Sequence, residues 1–287
     1  MFCAKAGAKQ VIAVDNSDII NKARENIFHN GLGDTIFCIH GMIEEVKLPV
    51  SQVDIIISEW MGYCLLYEAM LPSIIWARDR YLAPNGLLAP SVTTLWLAPV
   101  SDSEYVADQV TFWRDVYGFD MRAMQDGIHD DARIEVVPAS STCGSPCAFL
   151  QLSLHSVKTE DLTFLVPWRT TLDKGVDSLD GFLVWFDTYF TTSRQEAIPV
   201  NQAAEEWAHE TVGRVAFTTG PFGKETHWRQ GLLLTDHEGP TTKLEARREL
   251  AGNISYSPRD DNPRALSITM NWVGPAGTKG KQTWHLR

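Results

Sequence analysis

The hydropathy pattern changes period near Pro90, and that change restricts the fold more than any other feature of the chain. Upstream, short apolar β-rich runs at 11–14, 36–39 and 53–57 are separated by an amphipathic stretch at 17–29, the alternation of a βαβ unit with a parallel sheet. Apolar residues recurring at three- and four-residue spacing predict a second helix over 65–81, which the turn-forming APNG at 83–86 ends. LLAP at 87–90 then marks a boundary. Downstream, TTLWLAPV, AFLQLSL, DLTFLVPW, GFLVWFDTYF, RVAFTTGP, WRQGLLLT and ALSITMNWV follow one another between Gly, Pro, Asp and Ser clusters, which predicts an antiparallel barrel or sandwich. Two domains are expected, an α/β domain over 1–90 and a β domain over 91–287.

A chain of 287 residues with 44% hydrophobic content, ten tryptophans and twelve phenylalanines has ample material for packed cores. No apolar run reaches about 18 residues, and no basic-then-apolar segment opens the chain, so membrane insertion and secretion are disfavoured and a soluble intracellular protein is expected. The net charge of −11, from 36 acidic and 25 basic side chains, argues against binding nucleic acid directly. It suits a cationic partner, and equally suits mere solubility. The five cysteines are scattered, with no CxxC pair and no histidine at ligand spacing, so neither a disulfide framework nor a metal site is expected. Cys143 and Cys147, in CGSPC, read as an ordinary loop.

One helical interlude, at 102–124, interrupts the β region and carries Phe112, Trp113, Tyr117 and Phe119. Those aromatics fit either a cap on the core or an interface. The polar stretch at 193–210 reads as an inserted surface loop or short helix.

Several short motifs have chemical content. The strand VIAVD ends in Asp15, where a carboxylate at the carboxyl end of a parallel strand can accept ribose hydroxyls; a helix N-cap is the alternative. In GMIEEVKLP the backbone of Met42 and Ile43 and the carboxylate of Glu44 could read an adenine edge, or form a solvated turn. NGLGD at 30–34 follows a helix and precedes a strand, the reverse of a phosphate loop, so Gly31 reads as a helix C-cap. No glycine-rich cofactor turn precedes the strand at 10–15.

The stretch VDIIISEWMGYCLLYEAML at 53–71 places Glu59 at the end of a strand and Glu68 on the following helix, with Gly62 allowing a sharp turn between them. A guanidinium is planar, always protonated and carries five donors in a fixed fork, so two carboxylates can clamp it by charge-assisted hydrogen bonds. Spacing alone favours the plainer alternative, two incidental exposed acids beside a strand-to-helix connection.

Identity of the whole stretch decides between them. CAKAGAKQVIAVD, GMIEEVKLP, SEWMGYCLLYEAML, RYLAPNGLLAP, FWRDVYGFDM, EDLTF, FTTGP and THW occur in the order seen in protein arginine N-methyltransferases, and the chain resembles that family over nearly its entire length. It is most similar to type I enzymes, which make asymmetric dimethylarginine, and VDNS resembles the arginine methyltransferase 3 group. The resemblance implies a Rossmann-like methyltransferase domain followed by an antiparallel β-barrel with a helical dimerisation arm at about 112–131. It implies S-adenosyl-L-methionine as cofactor, with Asp15 on the ribose and Met42, Ile43 and Glu44 at the adenine. Glu59 and Glu68 would hold the substrate guanidinium, Met61 and Met70 would line the pocket, and His227 and Trp228 of THW would close it, His227 counting with the catalytic set.

Arg/Gly-rich protein substrates, a homodimer through the arm, and residence in the cytoplasm with the nucleus as a second compartment follow from the same resemblance. Against that pattern, the first strand, its glycine-rich turn and the aromatic helix that folds over the cofactor have no counterpart in the chain. Met1 is therefore expected to be an internal methionine of a longer protein, and the cofactor domain to be incomplete and impaired in binding. The alternative is a non-catalytic interaction or dimerisation module.

Overall fold

The structure, a computed structural model, describes residues 1–236, 243–274 and 279–287. The chain forms two compact units, one of Met1–Ile56 with Ser73–Gly86, the other of Ile57–Pro72 with Leu87–Arg287. The stretch that carries Glu59 and Glu68 belongs to the second unit.

In chain order the first elements are α1 (Phe2–Lys5), β1 (Val11–Asp15), α2 (Ile19–His29), β2 (Ile36–His40), β3 (Val53–Ile57), α3 (Leu71–Tyr81) and β4 (Leu82–Ala89). The expected parallel pairing is present between β1 and β2, from Val11 opposite Ile36 to Asp15 opposite His40. The amphipathic α2 buries Ile20 and Ile27. It ends at Gly31, whose φ of 65° lets its N–H reach the Phe28 carbonyl and that of Leu32 reach Ile27, both at 3.0 Å. These two bonds satisfy carbonyls that a helix end leaves orphaned, so NGLGD terminates a helix.

Three expectations for this region need correction. β3 does not join β1 and β2 in one parallel sheet; it pairs with β4 in a separate two-stranded sheet. The predicted helix over 65–81 begins only at Leu71, so Glu68 lies in the preceding loop and not on the helix. Cys64, Leu65, Glu68 and Ala69 all have positive φ, between 50° and 77°, which no right-handed helix accommodates. APNG is no helix-ending turn either but sits within β4, where Pro84 is tolerated because a two-stranded sheet is all edge.

The second unit continues with β5 (Val92–Val100), α4 (Ser103–Gln109), β6 (Arg133–Glu135), β7 (Cys147–Ser153), β8 (Phe164–Thr171), β9 (Gly181–Phe190), α5 (Ala204–Glu210), β10 (Val215–Thr218), β11 (Gln230–Leu234), β12 (Glu249–Pro258), β13 (Leu266–Val273) and β14 (Lys279–Leu286). One sheet runs β6-β11-β9-β5-β7, with β10 also paired to β9; the other runs β14-β13-β12-β8. Among the described residues no continuous ladder closes the two into one barrel. Two seams join them: Ser145 N–H donates to the Thr171 carbonyl at 2.9 Å, and Trp284 Nε1 donates to the Leu234 carbonyl at 2.8 Å.

β5 and the first nine residues of β9 are buried, which is why both read as apolar runs without alternation. Trp96 and Trp185 stack at 6.5 Å within a cluster that includes Leu183, Leu232 and Leu234. Each such side chain contributes roughly 1.5–3 kcal/mol on burial. The interlude at 102–124 is not one helix. Asp102 caps α4 through Tyr105 N–H at 2.9 Å, but beyond Val110 only single 3-10 turns form, at Thr111–Arg114 and Arg122–Gln125. Extended Asp115 and Tyr117, with φ of 55°, break the helical path, and Tyr117 stands 96% exposed at the tip. The 193–210 insertion ends in α5, whose Trp207 packs edge-on against Tyr189 while Arg214 lies 4.5 Å from its ring and pairs with Glu196 and Glu210.

β9 carries one buried carboxylate. Asp187 is 1% exposed; Oδ2 accepts from Ala204 N–H at 2.8 Å and Oδ1 has no partner among the described residues. Burial, opposed by the hydrogen bonds that Oδ2 accepts from Ala204 N–H and the Tyr189 hydroxyl, pushes its carboxyl up to about 6. Below about pH 4 the group is protonated in the folded and unfolded chain alike. As pH rises from about 4 to 6 the unfolded chain ionises first, so stability is lost across that window, by at most about 3 kcal/mol. Asp187→Asn keeps an acceptor for Ala204 and is expected to raise stability at pH 7 by about 2 kcal/mol with no gain at pH 4. Denaturant melts at the two pH values measure this.

Candidate active site

The second unit builds the candidate site from one loop and one strand connection. β3 leads out through Ser58, whose N–H donates to the Ala89 carbonyl at 3.1 Å, and delivers Glu59 to the surface. Trp60, Met61, Cys64 and Leu65 turn inward and are buried, so the loop is pinned by its apolar residues while its carboxylates stay wet. Gly62 and Leu65 exchange two backbone hydrogen bonds, at 2.9 and 3.0 Å. A Cβ on Gly62 would lie 1.9 Å from the Tyr67 carbonyl oxygen, so glycine is needed there for close approach, while the positive φ angles fall on its neighbours. Gly231 of β11 serves the same loop from below, since a Cβ there would lie 2.3 Å from Cys64 Sγ. Burial pushes the Cys64 thiol up to about 12, leaving it inert.

Glu68 is held by its backbone. Its N–H donates to the Arg264 carbonyl at 2.8 Å, and Arg264 Nε donates back to the Glu68 carbonyl at 3.3 Å. These bonds hold Glu68 at φ 77° and leave its carboxylate free. Neither the Glu59 nor the Glu68 carboxylate makes a hydrogen bond or ion pair among the described residues, and both residues are exposed. Two unpaired carboxylates at the ends of one pinned loop can accept a guanidinium.

The THW segment is joined to this loop. Trp228 Nε1 donates to the Met61 carbonyl at 2.7 Å, and the ring packs on Phe186 and Phe217 at 5.7 and 5.5 Å. His227 stands against Trp228, with ring centroids 3.8 Å apart, and lines an open pocket with Tyr63. The structure thus brings Met61, His227 and Trp228 together; Met70 is exposed at the loop end, whereas the Met61 side chain is buried. Sequence reasoning missed Tyr63, Glu225, Thr226 and Arg229, which share the pocket with His227, and missed Arg264. Tyr63 is the last residue of SEWMGY, Thr226 the first of THW, and Glu225 and Arg229 flank THW, so the motifs themselves could have flagged these four. Nothing local signals Arg264, which lies 196 residues from Glu68.

In the first unit, Asp15 and the 42–44 turn meet at the carboxyl end of β1 and β2. Gly41 N–H donates to the Asp15 carbonyl at 3.0 Å, and the Met42 carbonyl accepts from Glu45 and Val46. Asp15 Oδ1 accepts from the Ser17 N–H and hydroxyl at 2.7 and 2.6 Å, bonds that hold its carboxyl below the usual range and leave Oδ2 without a partner among the described residues. α2 starts after Asp18, so Asp15 is not its N-cap. The Asp15 carboxylate thus keeps one open oxygen, and the Ile43 N–H and Glu44 carboxylate make no hydrogen bond among the described residues, the kinds of group that could take an adenosine.

Residues 91–274 match the arginine methyltransferase oligomerization subdomain. Over 272 residues the chain is 45% identical to the ribosomal protein arginine N-methyltransferase rmt3 of Schizosaccharomyces pombe, covering 95% of this chain and 48% of that protein. It is 40% identical to protein arginine N-methyltransferase 1 of the same organism, covering 95% of this chain and 74% of that one. The chain belongs to the protein arginine N-methyltransferase family. This family member therefore spans about half the length of one relative and three-quarters of the other. A solved structure of the Trypanosoma brucei PRMT1 enzyme–prozyme heterotetrameric complex with AdoHcy superposes with a TM-score of 0.86 at 29% identity, covering 100% of this chain and 84% of that one. The arginine methyltransferase fold thus accounts for both units, the α/β one and the β one.

Proposed function

We propose that this chain carries out S-adenosyl-L-methionine-dependent methyl transfer to arginine guanidino nitrogens of proteins, as a type I enzyme yielding asymmetric dimethylarginine. The observation that carries this reading is the pair of exposed, unpaired carboxylates of Glu59 and Glu68 on a loop pinned by Gly62, Arg264 and Trp228. Clamped between them, a guanidinium has one terminal nitrogen fixed, and orientation of that kind removes several kcal/mol of a barrier. Positive charge drawn toward the carboxylates leaves the lone pair of the opposite nitrogen more available. The cofactor supplies an electrophilic methyl group; Asp15, Met42, Ile43 and Glu44 would hold its adenosine. His227 completes the catalytic set, with Met61, Met70 and Trp228 around the guanidinium. The two seamed sheets are the substrate-side barrel, and the exposed Tyr117 and Phe119 of the arm are the contact of a homodimer working in the cytoplasm and nucleus on Arg/Gly-rich proteins.

A second reading, a non-catalytic interaction module, is favoured by the split of the first unit into two separate two-stranded sheets. Incubation with methyl-labelled cofactor and an arginine-containing peptide separates the two. Asymmetric dimethylarginine in the peptide, identified by mass spectrometry, is the expected product. Peptide binding by calorimetry without cofactor binding would favour the second reading.

A further inference from the structure

Beside the carboxylate loop lies an open pocket of about 510 Å³ lined by Tyr63, Glu225, Thr226, His227 and Arg229. Glu225 and Arg229 line the same pocket yet form no ion pair, and neither side chain bonds to anything among the described residues. The Thr226 hydroxyl is buried without a partner among the described residues. Arg229 is held in the left-handed region, at φ 51°, by its N–H bond to the Thr226 carbonyl at 3.1 Å. Left-handed backbone at a bulky residue is unfavourable and persists where the surroundings impose it. Among the described residues the Glu225 and Arg229 side chains thus meet water and no protein group, while the Thr226 hydroxyl between them is left unsatisfied.

We propose that Glu225 is a specificity-determining residue that, with Tyr63 as an aromatic wall, takes a second cationic side chain of the substrate segment. The inference rests on the reading of Glu59 and Glu68 as the holder of the target arginine. Glu225 and Arg229 put one charge of each sign on the pocket lining, so the sign of the preferred ligand is set by what else is present. Tyr63 stacks on Tyr67 at 6.0 Å through one side and is 38% exposed, leaving ring surface that attracts cations and not carboxylates. Glu59 and Glu68 stand on the same loop as Tyr63, and the chain carries a net charge of −11, so the surrounding field also favours cations. The exposed Arg229 guanidinium can swing toward water on its long flexible stem, whereas the Glu225 carboxylate, on a shorter one, ranges less far from the pocket it lines.

Fluorescence anisotropy on the full chain tests this with two labelled peptides that differ by one extra arginine close to the central one. Wild type is expected to bind the two-arginine peptide about five-fold more tightly, the combined effect of one exposed ion pair and one cation–π contact. Glu225→Gln cuts that preference to about two-fold, the part owed to the Tyr63 ring, and leaves the one-arginine affinity unchanged. Arg229→Gln preserves or enlarges the preference, and Glu104→Gln, an equal change in net charge on α4, leaves it intact. Persistence of the full five-fold preference in Glu225→Gln, or its loss in Arg229→Gln or Glu104→Gln instead, overturns the proposal. So does equal affinity of wild type for both peptides. If wild type still binds the one-arginine peptide, only this inference fails; if it binds neither, the reading of Glu59 and Glu68 fails with it.

Discussion

Replacing Glu68 by glutamine is expected to lower methyl transfer about 10²–10³-fold while cofactor affinity and thermal stability stay at the parent level. The magnitude is that of removing one preorganised electrostatic contact from a reacting centre. Glutamine is nearly isosteric and the carboxylate makes no bond among the described residues, so no folding interaction seen there is lost. The backbone bonds to Arg264, which set the φ of 77°, do not involve the side chain. Parallel measurement of turnover, cofactor binding and melting temperature checks the three expectations together. Unchanged turnover would remove Glu68 from the mechanism.

Gly62→Ala is the substitution with the largest expected structural effect. Its Cβ would meet the Tyr67 carbonyl oxygen at 1.9 Å and the carbonyl carbon at 2.6 Å, and backbone atoms cannot rotate aside as a side chain can. Relief requires opening the loop, which breaks the reciprocal Gly62–Leu65 bonds and loosens the buried Trp60, Met61 and Leu65. A loss of about 3 kcal/mol or more is expected, at the upper end of overpacking effects. Gly33→Ala is the control: a Cβ there meets nothing within 4 Å and the backbone is not left-handed, so denaturant melts should shift by no more than about 0.5 kcal/mol. Equal stability of the two variants would contradict the packing seen at Gly62.

Much of the fold is legible where local chemistry and tertiary structure agree. β1, α2, β2 and β3 appear within a residue or two of the hydropathy pattern, and Gly31 closes α2 as its context requires. β5 and β9 read as continuous apolar runs because they are covered on both faces. Legibility fails between Leu65 and Met70. The three- and four-residue apolar spacing there suggests a helix, but Leu65 is buried from a loop whose Cys64 packs on Gly231 of β11, and that loop holds non-glycine residues at left-handed angles. Periodicity registers which residues are apolar and is blind to such angles.

By itself, then, the sequence determined the order of α/β and β regions, the pair Glu59 and Glu68 as the candidate guanidinium holder, and the family through motifs such as SEWMGY and THW. Tertiary structure alone decided that this pair belongs to the β unit, that Glu68 is set by Arg264, that Trp228 is tied to Met61, and that Glu225 faces a pocket with Tyr63. The physical reason is range: propensity, capping and hydropathy act over a few residues. The bonds that build the site join positions 196 and 167 residues apart, and only chain packing brings such positions within reach.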